Sequence, residues 1–309
     1  LPVAGGGVDN RFDLDGRGKS WAGEAVRRSH VAGVQPLLML GGEGSLQAFR
    51  ECSLPATRSA CVKSILEVID AFGFAGLDLD WEPVETEDQS TILALAEELR
   101  AALGQRLLTF PVGWNNKNLD NLKRPFYRQL SQICDRLSIM SYSMNWIGDG
   151  WKSWHFSPLF GEADQTPSSV SNSVQALQSV GVPASRIHLG IGFFGQAWEN
   201  VTPLPVTTAG QETAPAAMRV RISDNDVSYA NIVRHVKDYD EALHWDDACK
   251  ASYLRFSEPL EFPSGIRPPV MTTFLPFEDA RSIQAKGEYA HAQGLGGAGH
   301  LLLHRHGAD

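Results

Sequence analysis

Asp78, Asp80 and Glu82 place a carboxylate at every second position of the run Gly-Leu-Asp-Leu-Asp-Trp-Glu-Pro at 76–83. On a β-strand that period sends the three acids to one face and Leu77, Leu79 and Trp81 to the other. Successive acids then stand about 6.5–7 Å apart at Cα. Carboxylates that close do not all ionise freely, so at least one holds a proton near neutral pH. A protonated carboxyl is the group that protonates a leaving oxygen when a glycosidic bond is cleaved. A solvated edge strand or half a calcium loop would also show alternating acids. A calcium loop takes Gly or polar spacers and a tight turn, whereas the spacers here are Leu, Leu and Trp, preceded by Phe72-Gly73-Phe74-Ala75-Gly76. An edge strand is seldom so apolar on its second face. The run therefore reads as a buried strand carrying acid chemistry.

The surrounding pattern alternates helix and strand, which predicts a mostly parallel α/β sheet with crossover helices. Helices are expected at Ser20–Ala32 (Ser20 as N-cap), Ala60–Ala71, Thr86–Leu103, Tyr127–Asp135, Ser168–Val180 and Glu278–Gln293. Strands are expected at Val34–Leu40, Arg106–Val112, Arg136–Tyr142, Ile187–Gly195 and Leu295–Leu303, besides the acidic run. The stripe Ile92, Leu93, Leu95, Leu99, Leu103 makes Thr86–Leu103 the clearest helix. From Gln196 to Pro269 the alternation breaks, with possible strands at Met218–Ile222 and Ala251–Phe256 and a helix at Tyr229–Tyr239. That stretch reads as an insertion.

The 309 residues suffice for one large α/β domain, and 43% hydrophobic with 20% charged residues is ordinary for a globular chain. A net charge of −9 offers no basic footprint for nucleic acid, and no run of about 18 apolar residues suggests a membrane span. The four cysteines show no zinc spacing, and Cys61 and Cys134 read as buried thiols in helices. The start at Leu1 lacks a signal peptide, and a preceding segment is expected to have been removed or not captured. Trp114, Trp146, Trp151 and Trp154 follow predicted strand ends, where indoles suit stacking on pyranose faces; loop packing is the alternative for each. Asn200-Val201-Thr202 fits a glycosylation acceptor.

The acidic run resembles the Asp-x-x-Asp-x-Asp-x-Glu signature of glycoside hydrolase family 18, the chitinases and their relatives. It departs at the first position, where Ala75 stands for Asp. Further segments are similar to the family's. Met39-Leu40-Gly41-Gly42 takes the place of its Ser-x-Gly-Gly turn. Ile139-Met140-Ser141-Tyr142 resembles the Met-x-Tyr-Asp segment, with Ser143 in place of Asp. Leu189–Gly195 looks like the Gly-x-x-x-Tyr-Gly segment, with Phe194 in the aromatic position, and Asp279, Ser282 and Lys286 match the last helix. Leu301 stands where the family usually has an aromatic floor.

The resemblance implies a TIM (β/α)8 barrel over 1–309, lacking its first two strands, with the 196–269 insertion between strands seven and eight. It implies an extracellular chitinase, acting on chitin or chitooligosaccharides with retention and needing neither metal nor cofactor. Glu82 would be the acid, with Asp80 on the substrate's acetamido N–H. Asp78 would share a proton with Asp80, and Tyr142 would hold the acetamido carbonyl. Met140, Trp114, Trp151, Trp154 and Phe194 would line the sugar. An endo-β-N-acetylglucosaminidase and an inactive chitin-binding lectin of the same fold remain alternatives.

Overall fold

The computed structural model describes residues 2–3, 7–8, 17–145, 151–199, 211–212, 220–222, 226–265 and 269–301. The chain forms two compact units, Leu1–Pro111 with Pro125–Leu137, and Val112–Arg124 with Ser138–Asp309.

In the first unit the order is α1 (Arg17–Val31), β1 (Leu37–Gly41), α2 (Leu46–Cys52), α3 (Arg58–Phe72), β2 (Gly76–Asp80), α4 (Gln89–Leu103), β3 (Leu107–Val112), α5 (Pro125–Ile133) and the start of β4 (Arg136–Ile139). Strands β1, β2 and β3 are parallel neighbours. Leu37 through Gly41 pair with Gly76 through Asp80, and Gly76 through Asp78 pair with Leu107 through Thr109. The acidic strand thus has a partner on both sides, which disposes of the edge-strand reading. Gly76 is required there, because a Cβ would stand 2.0 Å from the Leu107 carbonyl oxygen.

Helix α4 buries Ile92, Leu95, Ala96, Leu99 and Leu103 at helical spacing. Helix α3 buries Cys61, Val62, Ile65 and Ile69, then stops at Gly73, whose φ of 76° suits a residue without Cβ. Ser20 lies inside α1 rather than capping it, since the helix begins at Arg17. Ahead of α1, where the sequence suggests no strand, Pro2–Val3 and Gly7–Val8 pair antiparallel.

Cys61 is not a free thiol: it is bridged to Cys52. The chain reverses between the end of α2 and the start of α3, which brings the two Cα atoms to 5.9 Å, within bridging range. Cys134 is buried and not bridged, as its apolar surroundings suggest.

The second unit holds the end of β4, then α6 (Val170–Ser179), β5 (Ile187–Ile191), β6 (Gln196–Glu199), β7 (Val220–Ile222), α7 (Tyr229–His235), α8 (Tyr239–Ala242), β8 (Leu243–Asp246), β9 (Ala251–Glu261), β10 (Met271–Phe277), α9 (Ala280–Ala292) and β11 (Gly297–Leu301). Strand β5 lies between β4 and β11, and β11 runs parallel to it. The parallel strands of each unit therefore follow one another in chain order. Strand β4 ends sooner than its apolar run, because the chain turns where Ser141 N–H bonds back to the Ile139 carbonyl.

Between β5 and β11 stands an antiparallel sheet ordered β7-β6-β10-β9-β8. Its core includes Ala197, Val227, Ile232, Leu254, Leu275 and Phe277. The sheet takes in Met271–Phe277, beyond Pro269 where the irregular stretch ends in sequence. The helix expected at Tyr229–Tyr239 is instead two, separated at Asp238, whose φ is 53°. Helix α9 starts on a capping box: Asp279 accepts from the Ser282 N–H, and the Ser282 hydroxyl accepts from the Asp279 N–H. Lys286 donates to Glu278 at 2.9 Å, both side chains being buried. The matched Asp, Ser and Lys of this helix are therefore framework.

Candidate active site

The first unit gathers the three acids as the period predicts. Asp78 and Asp80 are buried, Glu82 is half-buried, and Leu77, Leu79 and Trp81 are fully buried. Trp81 stacks on Phe49 of α2 at 4.8 Å between centroids and 14° between planes, which fixes the apolar face of the strand. On the acid face Asp78 is flanked in register by Met39 of β1 and Thr109 of β3. The Thr109 hydroxyl donates to the Asp78 carboxylate. Thr109 was visible in sequence only as a hydroxyl within an apolar strand; its role needs the β2–β3 register.

Burial, then the charges of Glu82 and Asp78, push the Asp80 carboxyl up to about 8. Asp80 thus carries a proton at neutral pH. Glu82 is also raised, chiefly by burial, with Asp80 opposing and Glu43 adding to the shift. The backbone is closed around these acids: Gly42 N–H bonds to the Asp80 carbonyl at 2.8 Å. Gly41 has φ 121°, and a Cβ there would meet that same carbonyl oxygen at 2.0 Å and the Phe49 ring at 2.6 Å. Only glycine fits the turn beside the acidic strand.

The second unit gathers part of the aromatic set. Tyr142 and Phe194 are half-buried and meet edge-on at 5.8 Å, and Phe156 closes on Phe194 at 4.9 Å. Gly192 makes room for them, since a Cβ would stand 3.0 Å from both Phe194 and Tyr142. Met140 is half-buried at the end of β4. Trp114 is half-buried and meets Trp151 edge-on at 5.8 Å. Trp151 is only 7% exposed and Trp154 is 0% exposed. The Trp154 indole donates to the Ser168 carbonyl at 2.9 Å and packs with Cys249 and Ala251. Trp154 is therefore a core residue with no face to offer a sugar, and Trp151 serves mainly as backing for Trp114. Trp146, the Asn200 acceptor and the side chain of Leu301 lie outside the described residues.

The family model for glycosyl hydrolases family 18 matches residues 22–301. The chain belongs to that family. A class V chitinase of Arabidopsis thaliana is 25% identical over 287 residues, covering 88% of this chain and 69% of that protein. A class V chitinase of Lotus japonicus is 28% identical over 284 residues, covering 85% of this chain and 65% of that protein. Among solved structures, a chitinase from Rhizomucor miehei superposes with a TM-score of 0.75 at 22% identity, covering 96% of this chain and 86% of that one. A chitinase of Cycas revoluta, solved with (GlcNAc)3, gives 0.69 at 20% identity, covering 92% and 80%.

Family 18 membership gives the fold its class: a TIM-barrel α/β protein whose antiparallel sheet interrupts the chain between its last two parallel strands. The departures from the family pattern now have physical content. Ala75 contributes two backbone bonds, its N–H to Pro36 and its carbonyl to Leu107 N–H. Its missing carboxylate leaves those ties to the neighbouring strands intact. Met39, in place of Ser, gives Asp78 no hydroxyl from β1, so Thr109 is the hydroxyl donor in register. Ser143, in place of Asp, adopts φ 50°, a conformation that Asp accepts more readily.

Among the described residues His155, Asp246 and Cys249 have donor types suited to a metal, within 4.8 Å of one another. His155 Nε2 and Asp246 are hydrogen-bonded at 2.9 Å. Burial and the Asp246 charge push the Cys249 thiol up. The cluster is held by its own hydrogen bonds, with the thiol protonated. No helix of the described residues is long and apolar enough to cross a membrane.

Proposed function

We propose that this family 18 protein hydrolyses β-1,4-linked N-acetylglucosamine in chitin or chitooligosaccharides, with retention and through the substrate's own acetamido group. The observation that carries this reading is the buried acid strand, with Asp78 tied to Thr109 and burial raising the Asp80 and Glu82 carboxyls. Family 18 is an exception to the scheme in which an enzyme carboxylate attacks the sugar. Glu82, the most accessible of the three acids, protonates the glycosidic oxygen, and the acetamido oxygen attacks the anomeric carbon. Asp80 accepts from the acetamido N–H and stabilises the positive oxazolinium ion, while Asp78, held by Thr109, shares its charge and proton with Asp80. Glu82 then takes a proton from water as the ring opens. Tyr142 holds the acetamido carbonyl, and Trp114 and Phe194 offer ring area to the sugar.

The four relatives named above are chitinases, which supports chitin as the substrate class. The Cys52–Cys61 bridge supports an extracellular location, because disulfides persist in oxidising compartments. The test is incubation with the N-acetylglucosamine hexamer, following products and anomeric configuration by proton NMR. Shorter oligomers released first as the β-anomer are expected. Saturable binding without products would favour the lectin, and cleavage of a high-mannose glycopeptide but not of the hexamer would favour the endo-β-N-acetylglucosaminidase.

A further inference from the structure

The second unit holds a cavity of about 530 Å³ whose lining includes neither the three acids nor Tyr142, Trp114 or Phe194. Helix α9 gives it one wall through Arg281, Gln284, Ala285, Glu288, Tyr289 and Ala292, a stripe at helical spacing whose two alanines leave the room. The rest of the lining comes from Leu159 and Phe160 and from the end of β8 with the turn after it. That turn is well tied. The Asp246 carboxylate accepts from the Ala248 and Cys249 N–H groups, both at 3.0 Å, and Leu159 N–H bonds to the Cys249 carbonyl at 2.8 Å. Trp245 is fixed at two points: its indole N–H donates to Asp247 at 3.1 Å, and the Arg281 guanidinium stands 4.0 Å from the ring centroid. Phe160 meets Tyr289 edge-on at 5.6 Å between centroids. Rings held in this way lose little freedom when a ligand arrives.

We propose that this cavity is a second saccharide site, taking a short stretch of β-1,4-linked N-acetylglucosamine apart from the acid strand. Its volume falls within the range of about 300–1,000 Å³ usual for small-molecule sites. Its charged lining residues are Asp247 and Glu288 against Lys250 and Arg281, so the signs cancel. Asp247 holds Lys250 at 2.7 Å, and Glu288 accepts from the Gln284 amide at 2.9 Å. A balanced lining gives little pull on an anion or a cation. It suits a neutral ligand rich in hydroxyls, which give to carboxylate oxygens and accept from amide and guanidinium N–H groups. Arg281, Gln284 and Glu288 are exposed, so these groups reach a ligand from solvent. The rings beside them supply apolar area for the C–H face of a pyranose. The choice of N-acetylglucosamine as the sugar rests on the proposed function, whereas the saccharide chemistry rests on the cavity.

The experiment is fluorine NMR of the full chain carrying 5-fluorotryptophan, with the Trp245 resonance assigned by its loss in Trp245→Phe. The titration uses the N-acetylglucosamine trimer on the Glu82→Gln chain, which keeps the ligand whole. The Trp245 resonance should move saturably with the trimer and stay still with inorganic phosphate. Ala285→Arg sends a long side chain into the cavity from a helix that accepts arginine readily. It should weaken the Trp245 response by about tenfold or more, and in the chain with Glu82 intact it should leave hexamer turnover unchanged. Gln284→Ala removes only an exposed amide and should weaken the response about twofold to tenfold, which supplies the test should Ala285→Arg not fold. An undiminished response in the folded variants would mean that the shift is relayed from the acid site and would overturn the inference. A resonance still at about 10 mM trimer, or one that moves with phosphate alone, would overturn it too. A Trp245 response in a chain that leaves the hexamer intact would defeat the proposed function and retain the saccharide site; hexamer cleavage with a still Trp245 would do the reverse.

Discussion

The acidic strand and the tryptophan loops were both marked by residue type, but they differ in how the chain holds them. Asp78 and Asp80 sit on a strand with partners on both sides, so their period fixes the face each side chain takes, and Glu82 follows two residues beyond the strand's end. Trp114, Trp151 and Trp154 sit in or beside irregular chain, where no period governs direction. One is half-buried, one is nearly buried behind it, and one is wholly in the core. A repeat enforced by backbone hydrogen bonds carries orientation; a loop carries only identity. Large indoles in loops go where burial of ring area and a satisfied N–H are found together, as Trp154 does on Ser168.

The sharpest break of this comparison falls on the backbone of the acid region. Gly41→Ala would press a Cβ against the Asp80 carbonyl oxygen and Phe49 at a φ that disfavours any side chain. A loss of about 3 kcal/mol or more in chemical denaturation is expected, and a near-neutral result would mean that the turn is loosely held.

Asp80→Asn probes the same region through pH. Folded Asp80 binds its proton up to about pH 8, against an ordinary value near 3.8 when unfolded. Its contribution to stability is therefore full below about pH 4 and lost as pH rises toward 8. Asparagine does not titrate, so the variant should gain on the wild type across that window, by a few kcal/mol at its upper end. Parallel stability curves from pH 4 to 8 would contradict the buried, protonated carboxyl.

The tryptophans separate by readout. Trp154→Phe should cost about 1–3 kcal/mol of stability through a smaller ring and an orphaned Ser168 carbonyl, with KM for the hexamer unchanged. Trp114→Ala should raise KM about fivefold to tenfold, in keeping with the loss of about 1 kcal/mol of ring stacking. Equal effects on KM from the two would erase the distinction between loop identity and loop placement.

Much of the fold was legible because helical stripes and short apolar runs report burial locally, as in α4 and β3. The antiparallel sheet was legible only in part. Strands Gln196–Glu199 and Met271–Phe277 are adjacent in space but far apart in sequence, and their pairing leaves no local period. Cys61 was misread for a similar reason: its apolar neighbours describe its helix, whereas its partner depends on the reversal between α2 and α3. In the site, Asp78, Asp80 and Glu82 were legible as a set, while Thr109 and Gly41 acquire roles only through register.

The central claim is that Glu82 is the acid. Its most direct test is product release from the N-acetylglucosamine hexamer by the chain and by Glu82→Gln, with circular dichroism establishing that both are folded. Loss of at least about 10²–10⁴-fold in rate by the variant is predicted. A folded Glu82→Gln variant that releases products at close to the wild-type rate would contradict it.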